Sequence, residues 1–130
     1  MYKIDRNGHG FTLTFGGKMD KAELERWLKE SEQALTKCNG AFGIIIDMRT
    51  MQGLPPEAQA VMVQGQGLYK KKGMERSAVI VNSATIAMQF KRLGKESGIY
   101  SFERYIDAST DAGWEKHALD WVKSAIDPDK

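Results

Sequence analysis

The chain has 130 residues, of which 42% are apolar and 28% are charged. A chain of this length has the size of one domain and buries about two-thirds of its unfolded surface, so a disordered segment is not expected. Nineteen Lys and Arg residues against seventeen Asp and Glu leave a net charge of +2, without the basic excess typical of nucleic-acid binders. We therefore expect a single domain over residues 1–130 with no nucleic-acid partner.

The cysteine content and the apolar segments indicate a cellular compartment. Cys38 is the only cysteine, so no intrachain disulfide forms. The longest strongly apolar run, Ala41 to Ile46, is far shorter than the roughly 20 residues that cross a bilayer. The N-terminal residues lack the apolar segment and cleavage site of a signal peptide. These features predict a cytoplasmic protein with no integral membrane insertion.

The first predicted elements are a β-hairpin and a helix. Tyr2–Arg6 and Phe11–Phe15 have the pattern of short strands, and the Asn-Gly pair between them favours a tight hairpin turn. Asp20 has the position of a helix N-cap. The helix that follows is expected to end at Asn39-Gly40, because Gly after Asn is a common C-terminal signal.

Apolar strands then alternate with helices. The order ββαβαβαβα predicts an α/β fold with a mixed, largely parallel sheet, an N-terminal β-hairpin and about four helices packed against it. In chain order, the later elements are the strand Gly43–Asp47, a helix from near Pro55 to Gly73, the strand Ser77–Val81, a helix capped by Asn82 or Ser83, the strand Phe102–Asp107, and a helix capped by Ser109 or Thr110.

Motifs of the common enzyme and metal-binding classes are missing from the sequence. Gly94 and the lysine after it lack the earlier glycine and the following hydroxyl of a P-loop, and no G-x-S-x-G motif occurs. His9 and His117 are far apart, and no second cysteine completes a zinc site. We therefore expect no metal, no cofactor and no catalytic residue of these types.

Polar residues follow the apolar strands at the positions where open α/β sheets bind ligands, the carboxyl ends of parallel strands. Helix capping and loop hydrogen bonds are the simpler explanation for most of them. Arg49 is a forked cation suited to a carboxylate or phosphate, and a salt bridge to Asp47 or Asp107 is the plainer alternative. The candidate binding residues are Asp47, Arg49, Thr50, Gln52, Asn82, Ser83 and Asp107.

The element order, with the segments IIIDMRTMQGLPPEAQAV, SAVIVNSATIAMQFKRLGKESGI and FERYIDASTDAGWEKHALDWV, resembles the STAS superfamily and especially its SpoIIAA-like branch. The resemblance covers most of the chain and rests on element order and apolar pattern. It implies a STAS-like mixed sheet with helices packed against it. It also implies a module that binds or signals, since this superfamily includes anti-sigma-factor antagonists and the cytosolic domains of sulfate transporters.

The sequence departs from the family pattern at its regulatory position. Antagonists of the family carry a phosphorylatable serine in a D-S-S-G-like stretch that opens the second helix. Leu54, Pro55 and Pro56 occupy that stretch here, and Thr50, the one hydroxyl nearby, lies too early. The resemblance therefore does not carry the phosphorylation switch over to this chain.

Three functional hypotheses follow, and pocket shape distinguishes them. The leading one is a non-catalytic STAS-like regulatory or ligand-binding module that uses the segment Asp47–Pro56; its partner is a protein or a small ligand, and a homodimer is compatible with the sequence. The alternatives are a carrier of a small apolar or lipid-like ligand and a small enzyme using Asp47 or Asp107 with Arg49. A closed core favours protein partners, an apolar cavity favours a carrier, and a deep polar cleft favours an enzyme.

Overall fold

A five-stranded mixed sheet with the strand order β1-β2-β3-β4-β5 runs through the computed structural model, which describes residues 1–130. Four α-helices connect and follow the strands, so the α/β class and the mixed sheet are as predicted. The elements are β1 (Tyr2–Asn7), β2 (Gly10–Gly17), α1 (Lys21–Leu35), β3 (Phe42–Met51), α2 (Pro56–Lys72), β4 (Met74–Val81), α3 (Ala84–Ser97), a 3₁₀ turn (Tyr100–Phe102), β5 (Glu103–Asp107) and α4 (Trp114–Ser124).

The strand pairing follows from the connections. β1 and β2 form the predicted antiparallel hairpin, because only a tight turn separates them. Every later pair is parallel, as helical crossovers require. Ile44 lies opposite Ser77, and Asp47 lies opposite Ile80. The segments Gly43–Asp47 and Ser77–Val81 are therefore neighbouring parallel strands in the sheet interior.

The helices cover the two faces of the sheet unequally. The larger core lies on the face covered by α1, α2 and α3, and it contains Ile44 and Ile46. On the other face α4 contacts β3, β4 and β5, where Ile45 packs with Trp121 in a smaller core. β1 and β2 contribute no residue to this smaller core, so their side chains on that face have no helix over them.

Aromatic rings fill the centre of the larger core. The ring of Trp27 stacks on that of Tyr69 with centroids 5.9 Å apart, and it meets Phe15 edge-on at 5.2 Å. The hydroxyl groups of Ser31 and Tyr69 form a buried hydrogen bond of 2.7 Å, which satisfies the polar end of that tyrosine. Desolvation raises the pKa of Tyr69 to about 12, so its hydroxyl is neutral at physiological pH. These contacts join α1 and α2 to the sheet.

Several boundaries differ from those predicted. α1 ends at Leu35 with Thr36 as its C-cap, before the Asn-Gly signal, because the Thr36 hydroxyl bonds the carbonyl of Gln33 at 2.7 Å. The last strand begins at Glu103, since the residues before it form the 3₁₀ turn. β3 runs on to Met51, where it pairs with Gly17 of β2.

The start of α4 is a further correction. Neither Ser109 nor Thr110 caps this helix, which begins at Trp114 after Gly113. Instead the carboxylate of Asp107 accepts hydrogen bonds from the backbone N–H of Ser109, at 2.9 Å, and from its hydroxyl, at 2.5 Å. The N–H and hydroxyl of Ser109 are therefore engaged in this local turn and do not cap α4.

The remaining helix signals were predicted well. Asp20 caps α1 by accepting a hydrogen bond of 2.9 Å from the N–H of Glu23, and Ser83 caps α3. Gly73 ends α2 with a φ of 121°, a conformation that side chains disfavour. No helix combines the length and the apolar content that crossing a membrane requires.

Candidate functional site

The carboxyl ends of β2, β3 and β4 carry two separate groups of polar residues. Asp47, Arg49 and Asn82 are linked on the side of the sheet that α4 covers. Gln52 lies beyond the end of β3, in a cleft beside α1 and α3. The predicted cluster is therefore two sites that share β3 and face different surroundings.

Asp47 and Arg49 form a bidentate ion pair. Arg49 Nε donates to Asp47 Oδ1 at 3.0 Å, and Nη2 donates to Oδ2 at 2.9 Å. The backbone N–H of Arg49 adds a hydrogen bond of 3.1 Å to Oδ1. Partial burial works to raise the pKa of Asp47, but the hydrogen bonds and the charge of Arg49 outweigh it and lower the pKa. The Asp47 carboxylate is thus ionised and occupied by its neighbour.

The Arg49 side chain is also held by a contact with the Trp114 ring. Its guanidinium carbon lies 4.5 Å from the ring centroid of Trp114, a cation–π contact with α4. Asn82 donates a hydrogen bond of 3.1 Å to the Arg49 carbonyl, which ties the end of β4 to β3. Arg49 therefore has a fixed orientation while 42% of its side chain stays exposed to solvent.

The other predicted residues have structural roles. Ser83 accepts the N–H of Ile86 as the cap of α3, and Asp107 holds the turn after β5 without contacting Arg49. Thr50 lies within β3 opposite Gly16, so it is a strand residue and not a loop hydroxyl. Of the two salt bridges considered for Arg49, the structure has the one to Asp47.

The cleft that contains Gln52 lies between the loop that precedes α1 and the loop that precedes α2. Its volume is about 510 Å³, and it is open to solvent. Most of its lining residues are polar residues, glycine or proline, but most of the surface that they present to the cleft is apolar, and Leu54 is buried there. The lining residues are Lys18, Met19, Asp20, Gln52, Gly53, Leu54, Pro55 and Gln89.

Gln89 of α3 holds the loop that forms one wall of this cleft. Its Oε1 accepts a hydrogen bond of 3.1 Å from the N–H of Leu54, and its Nε2 donates at 3.3 Å to the Leu54 carbonyl. Gln59 of α2 donates to the same carbonyl at 2.8 Å. Pro55 has a φ of −67°, the value its ring imposes. The loop is therefore preformed by side chains from two helices.

Sequence reasoning missed Gln89, Lys18 and Trp114 as members of these sites. Trp114 contacts the smaller core, but it is half-buried and lies against Arg49. Gln89 lies 35 positions from Leu54, and nothing in its own helix indicates that partner. Only the packing of α3 beside the loop brings the two together.

A buried carboxyl lies away from both sites, at the start of β5. Glu103 accepts hydrogen bonds from the hydroxyls of Ser77 and Tyr105, the second at 2.5 Å, and no cation pairs with it. Desolvation raises its pKa to about 7, against the opposing effect of those hydrogen bonds. Beside it, between the sheet and α2, the larger core contains a void of about 20 Å³. This volume suffices for one water molecule and not for an organic ligand.

No protein-family model matches the chain, and neither the curated proteins nor the solved structures contain a significant match to it. The ion pair with its tryptophan and the cleft with its preformed loop are therefore the observations that bear on function.

Proposed function

We propose that this protein is a non-catalytic, STAS-like regulatory module that binds a partner protein at the cleft formed by the segment Gln52–Pro55, Lys18 and Gln89. The observation that carries the proposal is the preformed loop. Because Gln89 and Gln59 already hold the Leu54 peptide groups, the loop loses little conformational entropy when a partner binds. Loops that a rigid scaffold positions in this way are common binding surfaces.

The shape and surroundings of the cleft support a protein partner. The cleft is open to solvent, and most of the surface of its walls is apolar. Met88, which precedes Gln89 on α3, is 71% exposed and is the most exposed large apolar side chain of the chain. An exposed, adaptable methionine suits contact with a protein surface.

The two alternatives have weaker support. A carrier of apolar ligands needs an enclosed cavity, and the void in the larger core measures only about 20 Å³. An enzyme using Asp47 or Asp107 with Arg49 needs a carboxyl free to react. The Asp47 carboxylate has a lowered pKa and is engaged in the ion pair with Arg49. The Asp107 carboxylate accepts a hydrogen bond from the Ser109 hydroxyl.

The proposal includes recognition without a phosphorylation switch. Leu54, Pro55 and Pro56 occupy the position at which the resembling family carries its serine, and Thr50 is paired within the sheet. Binding then depends on the shape of the loop. A phosphate found stoichiometrically on the peptide containing Thr50, after incubation with ATP and host lysate, would contradict this part of the proposal.

The experiment compares quantitative pull-downs from the host lysate by the wild-type protein and by two variants. Gln89→Ala removes the clamp on Leu54, whereas Lys116→Glu changes an exposed charge on α4, on the opposite face of the sheet. We expect a specific partner to be depleted at least tenfold with Gln89→Ala and retained with Lys116→Glu. Equal recovery of every captured protein with both variants would place the binding surface elsewhere.

A further inference from the structure

The edge of the sheet formed by β1 carries two opposite charges close together. β1 is one of the two edge strands of the sheet, and it pairs only with β2. Lys3 and Asp5 lie two residues apart on one of its faces, with their charged atoms 3.7 Å apart and their side chains 62% and 54% exposed. No helix covers that face at this edge. An uncovered edge strand is a template for pairing with another chain.

The hydrogen bonds of the hairpin establish which backbone groups point outward. Met1 and Gly16 exchange both backbone hydrogen bonds, at 2.8 and 2.9 Å, so they are a hydrogen-bonded pair. Because such pairs alternate along an antiparallel ladder, Lys3 and Asp5 also bond to β2. The N–H and C=O groups of Tyr2, Ile4 and Arg6 therefore face the free edge.

We propose that β1 pairs with the β1 strand of a second copy of this chain, antiparallel and about a twofold axis at Ile4, to form one continuous sheet across a homodimer. In this register Ile4 lies opposite Ile4 of the second copy, and Tyr2 lies opposite Arg6. The outward backbone groups of these residues then form about six hydrogen bonds. Lys3 lies opposite Asp5 of the second copy, on the uncovered face.

Charge selects this register over its neighbours. Only registers that pair Tyr2, Ile4 and Arg6 among themselves satisfy the outward backbone groups, so the alternatives differ by two residues. One shift places Lys3 opposite Lys3 of the second copy, and the other places Asp5 opposite Asp5. Like charges directly opposite each other destabilise a strand pair, whereas opposite charges stabilise it. The central register alone has two complementary pairs.

The other face of the edge also gains from this pairing. Tyr2 and Ile4 pack against the larger core but remain partly exposed. In the dimer the two Ile4 side chains cover each other, and each Tyr2 ring lies beside a cation, that of Arg6. The second copy therefore buries apolar surface that the hairpin leaves half-covered, which is the physical reason for a chain to pair with itself here.

The test is sedimentation equilibrium at low ionic strength over a wide range of protein concentration, with a charge-swap series. Lys3→Glu places Glu opposite Asp5, and Asp5→Lys places Lys opposite Lys3, so each single variant is expected to raise the dimer dissociation constant about tenfold or more. The double variant Lys3→Glu with Asp5→Lys restores complementary pairs, and we expect its dissociation constant to return close to that of the wild type.

Two controls keep the result interpretable. Lys116→Glu reverses a charge that is also exposed but lies on α4, and it should leave dimerisation unchanged. Thermal melts verify that every variant folds, as expected for exposed positions. A wild-type protein that stays monomeric at the highest concentration would overturn the proposal. So would a dimer whose dissociation constant the single reversals do not change, or one that the double variant fails to restore.

Discussion

Gly65 of α2 lies directly against the indole of Trp27. A Cβ atom at Gly65 would lie 2.2 Å from two carbons of the six-membered ring, a distance at which one group has to move. Gly67, two residues later on the same helix, has nothing within 4 Å of such an atom. The absence of a side chain at Gly65 therefore lets α2 pack closely on α1.

This contrast predicts opposite effects of the same substitution. Gly65→Ala is expected to destabilise the protein by about 1–3 kcal/mol, because the indole would have to shift from its contacts with the Phe15 and Tyr69 rings. Gly67→Ala is expected to stabilise it by about 0.5–1 kcal/mol through better helix propensity. Urea unfolding of the two variants measures both effects, and equal effects at the two positions would contradict the packing described.

The three tryptophans should differ in their contribution to stability. Trp27 and Trp121 are 2% and 7% exposed, and the Trp121 indole N–H donates to the Ser77 carbonyl at 3.0 Å. Replacing either with Ala should cost about 3–5 kcal/mol. Trp114 is half-buried, so its replacement should cost clearly less. Denaturant melts of the three variants test this ranking, and a loss for Trp114→Ala as large as that for Trp27→Ala would show that it belongs to the core.

The ion pair on β3 predicts a modest and pH-dependent effect of Arg49. Arg49→Ala should cost about 1–2 kcal/mol at neutral pH, from the bidentate pair and the cation–π contact, since both are partly exposed. Because the folded pKa of Asp47 is lowered from 3.8, this contribution is present above that pH and is lost as the pH falls through the folded pKa. The free energies of unfolding of the wild type and of Arg49→Ala, measured as a function of pH, should converge at acidic pH. Lys116→Ala is the control, with an expected change within about 0.5 kcal/mol.

The buried carboxyl of Glu103 predicts the opposite pH dependence. Its pKa is raised from 4.5 to about 7 by desolvation, so the folded protein binds a proton that the unfolded chain releases between these values. Its contribution is complete below pH 4.5 and is lost as the pH rises toward 7, with a slope of at most about 1.4 kcal/mol per pH unit. The Tyr105 hydroxyl lies 2.5 Å from Oε1 of Glu103 and 3.3 Å from the Phe90 carbonyl.

Glu103→Gln tests this assignment, because an amide has the shape of the neutral carboxyl and does not titrate. The free energy of unfolding of this variant should depend less on pH between 4.5 and 7 than that of the wild type. Parallel profiles of the two proteins would show that Glu103 has the same pKa in the folded and the unfolded chain. A constant offset between the profiles would reflect only the fit of the amide beside Ser77.

Local signals in the sequence were sufficient for the order and type of the elements. The Asn-Gly turn, the alternation in β2, the caps at Asp20 and Ser83 and the glycine at Gly73 each act through the backbone of their own segment. An apolar run without alternation likewise predicts burial on both faces wherever it lies. These properties depend on a few neighbouring residues, so they are readable without knowing the fold.

Contacts between distant segments decided the rest, because their partners come together only when the helices pack. β3 extends to Met51 since Gly17 of β2 continues the ladder there, and the loop before α2 takes its shape from Gln89. Glu103 looks like an ordinary strand residue, yet neighbouring elements seal it from solvent and raise its pKa. The sequence by itself determined the elements and the polar strand ends, and the tertiary structure decided which of those polar groups meet, because hydrogen bonds and desolvation depend on distances in space.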